Sequence, residues 1–335
     1  MEMDHIDRII CEELSENSRK PLNQIAEKAG CSNQTIINRL EKIKDRMELQ
    51  NTVEIDFPKT GYTTEYFVRV KFKEDELIDT NEIEQVLQDS PYVQFAALTK
   101  GDFDLFIWSI APSPGKYEEQ MEAKIRVSLD KYIDEWSAHA LLVKRCGFLP
   151  VNNEIIDLLK INEKEKKLLK ILNENSRKSL TDIAEELEIS KPTAKYHLDK
   201  LKKEYIKRFT SFYGSEETLN HAARFIQVQG TEEDFQEYSP GIYNSYVSEE
   251  KRFFNKLVYG TVVSGGMDNF FLETYKDIED YNQQQKLIEE YHDSIIRKES
   301  NALITNILKG TVPTRKIDIK EELDYLLSPI ETESD

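Results

Sequence analysis

The stretch ENSRKPLNQIAEKAGCSNQTIINRLEKIKDR, residues 16–46, returns as ENSRKSLTDIAEELEISKPTAKYHLDKLKKE at residues 174–204. The two stretches align without a gap at an offset of 158 residues. They are identical at 14 of 31 positions, beginning with five identical residues in a row. Self-similarity of this extent is the signature of a duplicated structural unit. The sequence therefore predicts two copies of one architectural plan.

Each copy begins with a pattern typical of three short helices. The residues that would cap the first and third helices are Asp4, Ser32, Asn162 and Ser190. Gly30 supplies a tight turn before the third helix of copy one, and Glu165 completes a candidate capping box in copy two. Strand-like segments follow at 49–55 and 206–213. Three helices with a tight turn and a following strand predict a winged helix-turn-helix in each copy.

A weaker match follows each helical unit. Gly101-Asp-Phe-Asp104 corresponds to Gly265-Gly-Met-Asp268 at an offset of 164. In copy one, strands at 66–72, 93–98, 103–110 and 136–143 alternate with helices at 81–88 and 117–127. In copy two, we expect strands at 224–228, 257–263, 269–274 and 302–308 and a helix at 280–296, and segment 232–252 stays unassigned. This β-α-β-β-α-β order predicts a ferredoxin-like fold and an α+β protein.

These patterns divide the chain into five segments. We expect winged helix-turn-helix domains at 1–56 and 151–214, and ferredoxin-like domains at 57–150 and 215–312. Residues 313–335 form an acidic tail with a candidate helix at 319–327.

Composition indicates a folded, acidic protein with one basic region. The net charge of the 335 residues is −18, yet residues 160–214 carry 14 Lys and Arg against 9 Asp and Glu. Aromatic residues make up 10% of the chain, which argues against disorder. No apolar run approaches the ~20 residues of a membrane span. The acidic start, Met1-Glu-Met-Asp4, has no secretory signal pattern, so we expect a cytoplasmic protein with no membrane partner.

Cysteine and histidine spacing predicts neither a disulfide framework nor a metal site. The three cysteines are odd in number and far apart, at Cys11, Cys31 and Cys146. The five histidines form no H-x-x-H pair. We expect no metal and no cofactor.

The residues as a set resemble the leucine-responsive regulatory protein / AsnC family of bacterial and archaeal transcription regulators. The matching motifs are Asp4-x-x-Asp7-Arg8-Ile9-Ile10, Leu22-x-x-Ile25-Ala26, Ser32 with Arg39-Leu40, Thr60-Gly61-Tyr62 and Gly101-Asp-Phe-Asp104. The usual member has one copy and dimerises through its ferredoxin-like domain. For this duplicated chain the resemblance implies that 57–150 and 215–312 pair within or between chains. It also implies double-stranded DNA as a partner, and homo-oligomers.

The two candidate recognition helices carry different polar residues. Copy two offers cations for phosphates and one tyrosine: Lys191, Lys195, Tyr196, Lys200, Lys202, Lys203, Lys207 and Arg208. Copy one offers residues suited to base edges, with two cations nearby: Asn33, Gln34, Ile37, Asn38, Arg39 and Lys42. The alternative for each helix is a solvated polar surface. Positive charge confined to one helix-turn-helix of an acidic protein favours DNA binding. Because the two helices carry different polar residues, we predict that they bind half-sites of different sequence.

The glycine turns are candidates for binding an amino-acid-like effector. Backbone N–H groups at such a turn suit a carboxylate, and a nearby acid suits an ammonium group. The residues concerned are Gly101, Asp102, Asp104, Gly265, Gly266 and Asp268. The alternative is an ordinary hairpin turn.

Two other functions stay open. The first helix-turn-helix is net negative, since residues 1–50 carry 8 Lys and Arg against 10 Asp and Glu. The chain could therefore be an adaptor that has lost DNA binding at this unit and holds another protein through its acidic, tyrosine-rich domains. The segment Thr99–Trp108 also resembles haem-precursor decarboxylases of similar fold. Those enzymes are expected to place a histidine near this strand, and the nearest here is His139. We therefore expect a regulator and not an enzyme.

Overall fold

Three helices and a strand form the first repeat in the computed structural model, which describes residues 4–213, 220–229, 257–275, 277–292 and 296–312. Helices α1 (His5–Glu16), α2 (Leu22–Ala29) and α3 (Asn33–Met47) precede strand β1 (Leu49–Ile55). The side chains of Asp4 and Ser32 accept bonds from first-turn N–H groups, which confirms both caps. The buried apolar residues of this unit include Ile9, Ile10, Leu14, Ile25, Ile36, Leu40 and Ile43. We call α1 to β1 head 1.

A four-stranded antiparallel sheet follows head 1. Its elements are β2 (Thr64–Phe72), α4 (Thr80–Gln88), β3 (Val93–Gly101), β4 (Leu105–Ala111) and β5 (Ile133–Gly147). Between β4 and β5 the chain forms α5 (Pro114–Tyr117), a π-helical segment (Glu118–Arg126) and α6 (Val127–Leu129). The spatial order β3-β4-β2-β5 is the predicted ferredoxin-like arrangement.

The second repeat reproduces the helical plan. A short helix α7 (Asn153–Leu158) leads into α8 (Glu163–Glu174), α9 (Leu180–Glu186), α10 (Lys191–Glu204) and β6 (Ile206–Tyr213). Asn162 and Ser190 cap α8 and α10 through their side chains, as predicted. The carboxylate of Glu165 accepts a hydrogen bond from Lys200, on the neighbouring helix α10. We call α8 to β6 head 2.

A second four-stranded sheet follows head 2 and is the last part of the chain that the structure describes. It contains β7 (Asn220–Val228), β8 (Leu257–Val263), β9 (Asn269–Tyr275), α11 (Ile278–His292) and β10 (Ile296–Lys309), with the order β8-β9-β7-β10. This order repeats that of the first sheet. The unassigned segment 232–252 and the tail 313–335, with its candidate helix at 319–327, lie outside the described residues.

The two sheets join into one closed barrel of eight strands. Strand β5 pairs with β8, and β3 pairs with β10, so each sheet uses both of its edges within the same chain. Aromatic side chains fill the interior, with the rings of Phe67 and Phe270 stacked at 4.3 Å. Closure removes the free strand edges that would otherwise favour pairing between chains. The expected homo-oligomer would therefore have to form through surfaces other than strand edges.

Strands β5 and β10 exceed their predicted lengths by more residues than any other described strand. Strand β5 extends the predicted 136–143 at both ends because its first half pairs with β2 and its second half with β8. Strand β10 likewise joins β7 and β3, and it begins at Ile296, the last residue of the predicted helix 280–296. That helix, α11, ends at His292.

Heads 1 and 2 meet through their wing strands. Strand β1 pairs antiparallel with β6, and Thr52 lies opposite Thr210. These two threonines are 158 residues apart, which equals the offset of the sequence repeat. Equivalent residues therefore face each other across a pseudo-two-fold axis, and the wing ribbon lies on that axis.

A buried carboxylate ties the wing ribbon to the barrel. Glu54 of β1 is 8% exposed and pairs with Lys144 of β5 and with Lys207 and Arg208 of β6. Burial alone would raise the pKa of Glu54, but the three cations outweigh it and hold the pKa at about 2. The charged form is therefore the one that the fold stabilises.

We predict that Glu54→Gln lowers the free energy of unfolding by about 3 kcal/mol near pH 7, because three cations lose their carboxylate. A depressed pKa stabilises the fold above the unfolded-state value of 4.5. The difference between the variant and wild type should thus shrink as the pH falls from 4.5 to about 2. Urea denaturation across this range measures it. Glu119→Gln, at an exposed pair, is the control, and equal losses in both variants would contradict the prediction.

Candidate nucleic-acid interface

Helix α10 of head 2 presents a positively charged face to solvent. Its apolar residues Ala194, Leu198 and Leu201 are buried in the head. Lys191, Lys195, Tyr196, Lys202 and Lys203 are exposed, with Tyr196 at 64%. Within the described part of the chain, Lys191 and Lys195 form no ion pair with a carboxylate. These two ammonium groups lie at the start of α10 and are available to an external anion.

Three other predicted cations of head 2 are held by carboxylates. The Nζ of Lys200 lies 2.8 Å from Oε1 of Glu165, whose side chain is 2% exposed. This hydrogen bond raises the pKa of Lys200. Lys207 and Arg208 both pair with Glu54, as described above. The structure thus does not bring these three side chains to the free face of α10.

Helix α3 of head 1 presents amides instead of ammonium groups. Asn33, Gln34 and Asn38 are exposed, and Gln34 donates a hydrogen bond of 2.9 Å to Asn38. Ile37 is half-buried beside them, and Lys42 is exposed one turn further on. The exposed face therefore carries side chains that can both donate and accept hydrogen bonds.

Arg39, the remaining predicted residue of head 1, faces α1. Its Nη1 lies 2.5 Å from a carboxylate oxygen of Asp4 and 3.3 Å from one of Asp7. Hydrogen bonding to Asp4 raises the pKa of Arg39. This side chain fastens α3 to the start of α1.

The glycines of the two predicted effector turns lie near the two seams of the barrel. These seams are the β3–β10 and β5–β8 pairings that join the two sheets. Gly101 has a φ of +151°, and a Cβ there would lie 2.5 Å from the carbonyl oxygen of Asn301. Gly265 has a φ of +90°, and its Cβ would lie 2.7 Å from the carbonyl oxygen of Ala138. Both glycines allow one half of the barrel to approach the other. Gly266 is exposed, with open space around it.

The acids of these turns bind backbone N–H groups. Asp104 accepts from the N–H of Phe72, and Asp268 accepts from that of Val228, each at 2.8 Å. Asp102 accepts from the N–H of Asn301 at 2.9 Å, across the β3–β10 seam. These bonds support the hairpin-turn interpretation for Asp104 and Asp268, while Asp102 remains exposed.

Two buried polar groups were not part of any predicted site. His139 accepts a bond from Arg69 at its Nε2 and donates from Nδ1 to the carbonyl of Ser264, at 3.1 and 3.0 Å. Burial and the Arg69 charge lower its pKa to about 4, so the ring is neutral. Arg224, fully buried, binds Glu273 through two nitrogen atoms. A charged residue inside the apolar strand pattern at 222–228 was the available signal for this pair.

The described residues contain no group of three or more His, Cys, Asp or Glu side chains placed to hold a metal ion. Over the same residues, every helix is too short or too polar to cross a membrane. Within the described residues, neither Cys11 nor Cys31 is part of a disulfide.

Both heads match models of known DNA-binding domains. The AsnC-type helix-turn-helix domain matches residues 3–44, and a winged helix-turn-helix DNA-binding domain matches residues 161–204. The chain also shares its fold with the siroheme decarboxylase NirDL. The TM-score is 0.59 over 97% of this chain and 100% of that one, at 14% sequence identity.

Sequence relatives are archaeal regulators. An uncharacterized HTH-type transcriptional regulator of Pyrococcus furiosus is 30% identical over 108 residues, which cover 32% of this chain and 71% of the relative. The HTH-type transcriptional regulator LrpA of Pyrococcus horikoshii is 27% identical over 110 residues, covering 32% and 76%. Each alignment spans about one third of this chain, as expected where one copy of a duplicated plan is matched. With one AsnC-type helix-turn-helix domain, a second winged helix-turn-helix domain and relatives of this kind, the chain belongs to the Lrp/AsnC family of HTH-type transcriptional regulators.

Proposed function

We propose that this protein is a sequence-specific DNA-binding transcription regulator of the cytoplasm whose two heads read different half-sites of one operator. One observation carries the proposal. The pseudo-two-fold axis relates helices α3 and α10, yet their exposed faces differ in chemistry, with amides on one and lysines on the other. A dyad-related pair of helix-turn-helix units suits two half-sites about one helical turn, or ~34 Å, apart.

Head 2 supplies the attraction to the DNA backbone. Lys191, Lys195, Lys202 and Lys203 are exposed, and each phosphate contact releases condensed counterions. The rest of the chain is acidic enough to give a net charge of −18. Repulsion between this negative charge and the phosphates directs DNA to the heads.

Head 1 supplies discrimination between bases. Asn and Gln side chains pair with the N6 and N7 edge of adenine, and Ile37 suits a thymine methyl group. We propose Asn33, Gln34 and Asn38 as the base-reading residues, with Lys42 at a phosphate. Arg39, Lys200, Lys207 and Arg208 hold the heads in shape through their ion pairs and act on DNA only indirectly.

The lysines of α10 allow a matched comparison. Lys195→Ala removes a free ammonium group, so the slope of log affinity against log salt concentration should fall by about 0.9. Lys200→Ala, on the same helix, removes an ammonium group that Glu165 already holds, and it should leave the slope unchanged. Fluorescence anisotropy with duplex DNA at several salt concentrations measures both. Equal slope changes in the two variants would show that the Lys200–Glu165 ion pair opens when DNA binds. That result would contradict the assignment of Lys195 to DNA and of Lys200 to the structure of head 2.

Head 1 is best tested by point substitution, since deleting residues 1–56 would remove β1 and leave β6 of head 2 without its partner. We expect Gln34→Ala/Asn38→Ala to cost about 1–3 kcal/mol of discrimination at bases of one half-site only. Binding to operators mutated in either half-site measures this loss, and Lys195→Ala is the control that weakens all sequences alike. If the double variant keeps full specificity, the adaptor function of head 1 is favoured instead.

We retain two finer expectations as proposals. An amino-acid-like effector would bind at the turns through their exposed residues, Gly101, Asp102, Gly265 and Gly266, because Asp104 and Asp268 are half-buried and accept bonds from backbone N–H groups. Association into homo-oligomers would use surfaces other than the strand edges, which the barrel closes.

The second candidate function is haem-precursor decarboxylation. The shared fold with NirDL over the whole chain favours it. Against it, both ring nitrogens of His139 are engaged by Arg69 and Ser264, and the ring is fully buried. We predict that purified protein incubated anaerobically with sirohaem yields no decarboxylated product by mass spectrometry. A product peak that is absent from the protein-free incubation would overturn this ranking.

A further inference from the structure

The longest run of identity between the two repeats lies outside the recognition helices. It comprises Glu16–Lys20 and Glu174–Lys178, in the loops that join the first and second helices of each head. The fold places these two loops against each other on the pseudo-two-fold axis. The hydroxyl groups of Ser18 and Ser176 are fully buried and lie 2.5 Å apart.

Two arginines extend this contact reciprocally. Nη1 of Arg19 donates to the carbonyl oxygens of Ser176 and Lys178 in head 2. Nη1 of Arg177 donates to those of Ser18 and Lys20 in head 1. Each arginine thus bonds to the loop of the other head, and the two sets of bonds are equivalent. The self-complementary interface of a symmetric dimer has the same arrangement.

The same loops bind the outer edges of the wing ribbon. The N–H of Ser18 donates to the carbonyl of Phe209 on β6, and that of Ser176 donates to Asn51 on β1. The loop of each head is therefore hydrogen-bonded to the wing strand of the other head. A two-stranded ribbon on its own has a wide range of twist, so these extra bonds restrict the rotation of one head against the other.

The guanidinium groups of Arg19 and Arg177 donate hydrogen bonds to backbone carbonyl oxygens. Burial lowers the pKa of both Arg19 and Arg177, and the neighbouring Arg19 charge lowers that of Arg177 further. Across the described residues, neither side chain pairs with a carboxylate. In each arginine both bonds come from one nitrogen, Nη1, which the planar guanidinium group holds in position. A lysine would keep the charge but carry it on a shorter, flexible stem without that planar group.

We propose that Ser18, Arg19, Ser176 and Arg177 form a clasp that fixes the distance and twist between the two heads and so makes half-site spacing a determinant of operator choice. This inference rests on the proposed function for its DNA consequence. It also explains why these positions stayed identical while the recognition helices diverged. A residue on the axis must serve both heads, whereas each recognition helix serves one half-site.

Pulsed electron paramagnetic resonance tests the clasp without DNA. Spin labels at Glu41→Cys and Asp199→Cys occupy exposed, equivalent positions of α3 and α10, in a background with Cys31→Ser and Cys146→Ser and with buried Cys11 retained. We expect one narrow distance distribution that broadens about twofold in Arg19→Lys/Arg177→Lys, because the flexible lysine stem no longer holds a donor between the two carbonyl oxygens. Arg126→Lys, at an exposed position of the π-helical segment between β4 and β5, is the control. An unchanged width in the double variant would overturn the clasp.

Operators of altered spacing test its consequence for DNA. Inserting one base pair between the half-sites should weaken wild-type binding about tenfold or more and binding of Arg19→Lys/Arg177→Lys less than about threefold. Equal losses would overturn the role in operator choice. If circular dichroism shows that the lysine variant is unfolded, Ser18→Ala/Ser176→Ala replaces it in both measurements. Wild-type protein that binds no DNA would refute the proposed function, while the spin-label distances would still decide the clasp.

Discussion

Antiparallel pairing within one chain, at three seams, determines the architecture of this protein. Strand β1 pairs with β6 between the heads, and β5–β8 and β3–β10 close the barrel. Each seam joins a segment of one repeat to a segment of the other. A single chain thereby builds the arrangement expected of a family dimer, and no second chain is needed to satisfy the wing strands or the sheet edges. Glu54 then connects the wing ribbon to the barrel.

Covalent linkage of the two copies frees each from the requirement to be identical. In a homodimer, one substitution in a recognition helix changes both half-sites. In this chain the helices carry separate sequences, and α10 has exposed lysines where α3 has exposed amides. The same freedom extends to the sheets, where the buried Arg224–Glu273 pair of β7 and β9 corresponds in position to Val68 and Ser109 of β2 and β4. Symmetry is retained where residues meet on the axis.

Local features of the fold were predictable from sequence because they depend on near neighbours. The helix caps, the wing strands and the sheet order follow from capping residues and apolar periodicity. The full lengths of β5 and β10 depend on partners more than 100 residues away, which no local pattern reveals. The same limit applies to the site. Arg39 and Lys200 fit a DNA-contact pattern, but carboxylates on neighbouring helices hold them.

The most direct test of the account is selection of bound fragments from sheared genomic DNA, with the number of chains per fragment counted by native mass spectrometry. We predict an asymmetric motif with two unlike half-sites about one helical turn apart, bound by the two heads of a single chain. A palindromic motif that requires two chains would contradict the claim that the duplicated chain reads DNA as an internal, unlike pair.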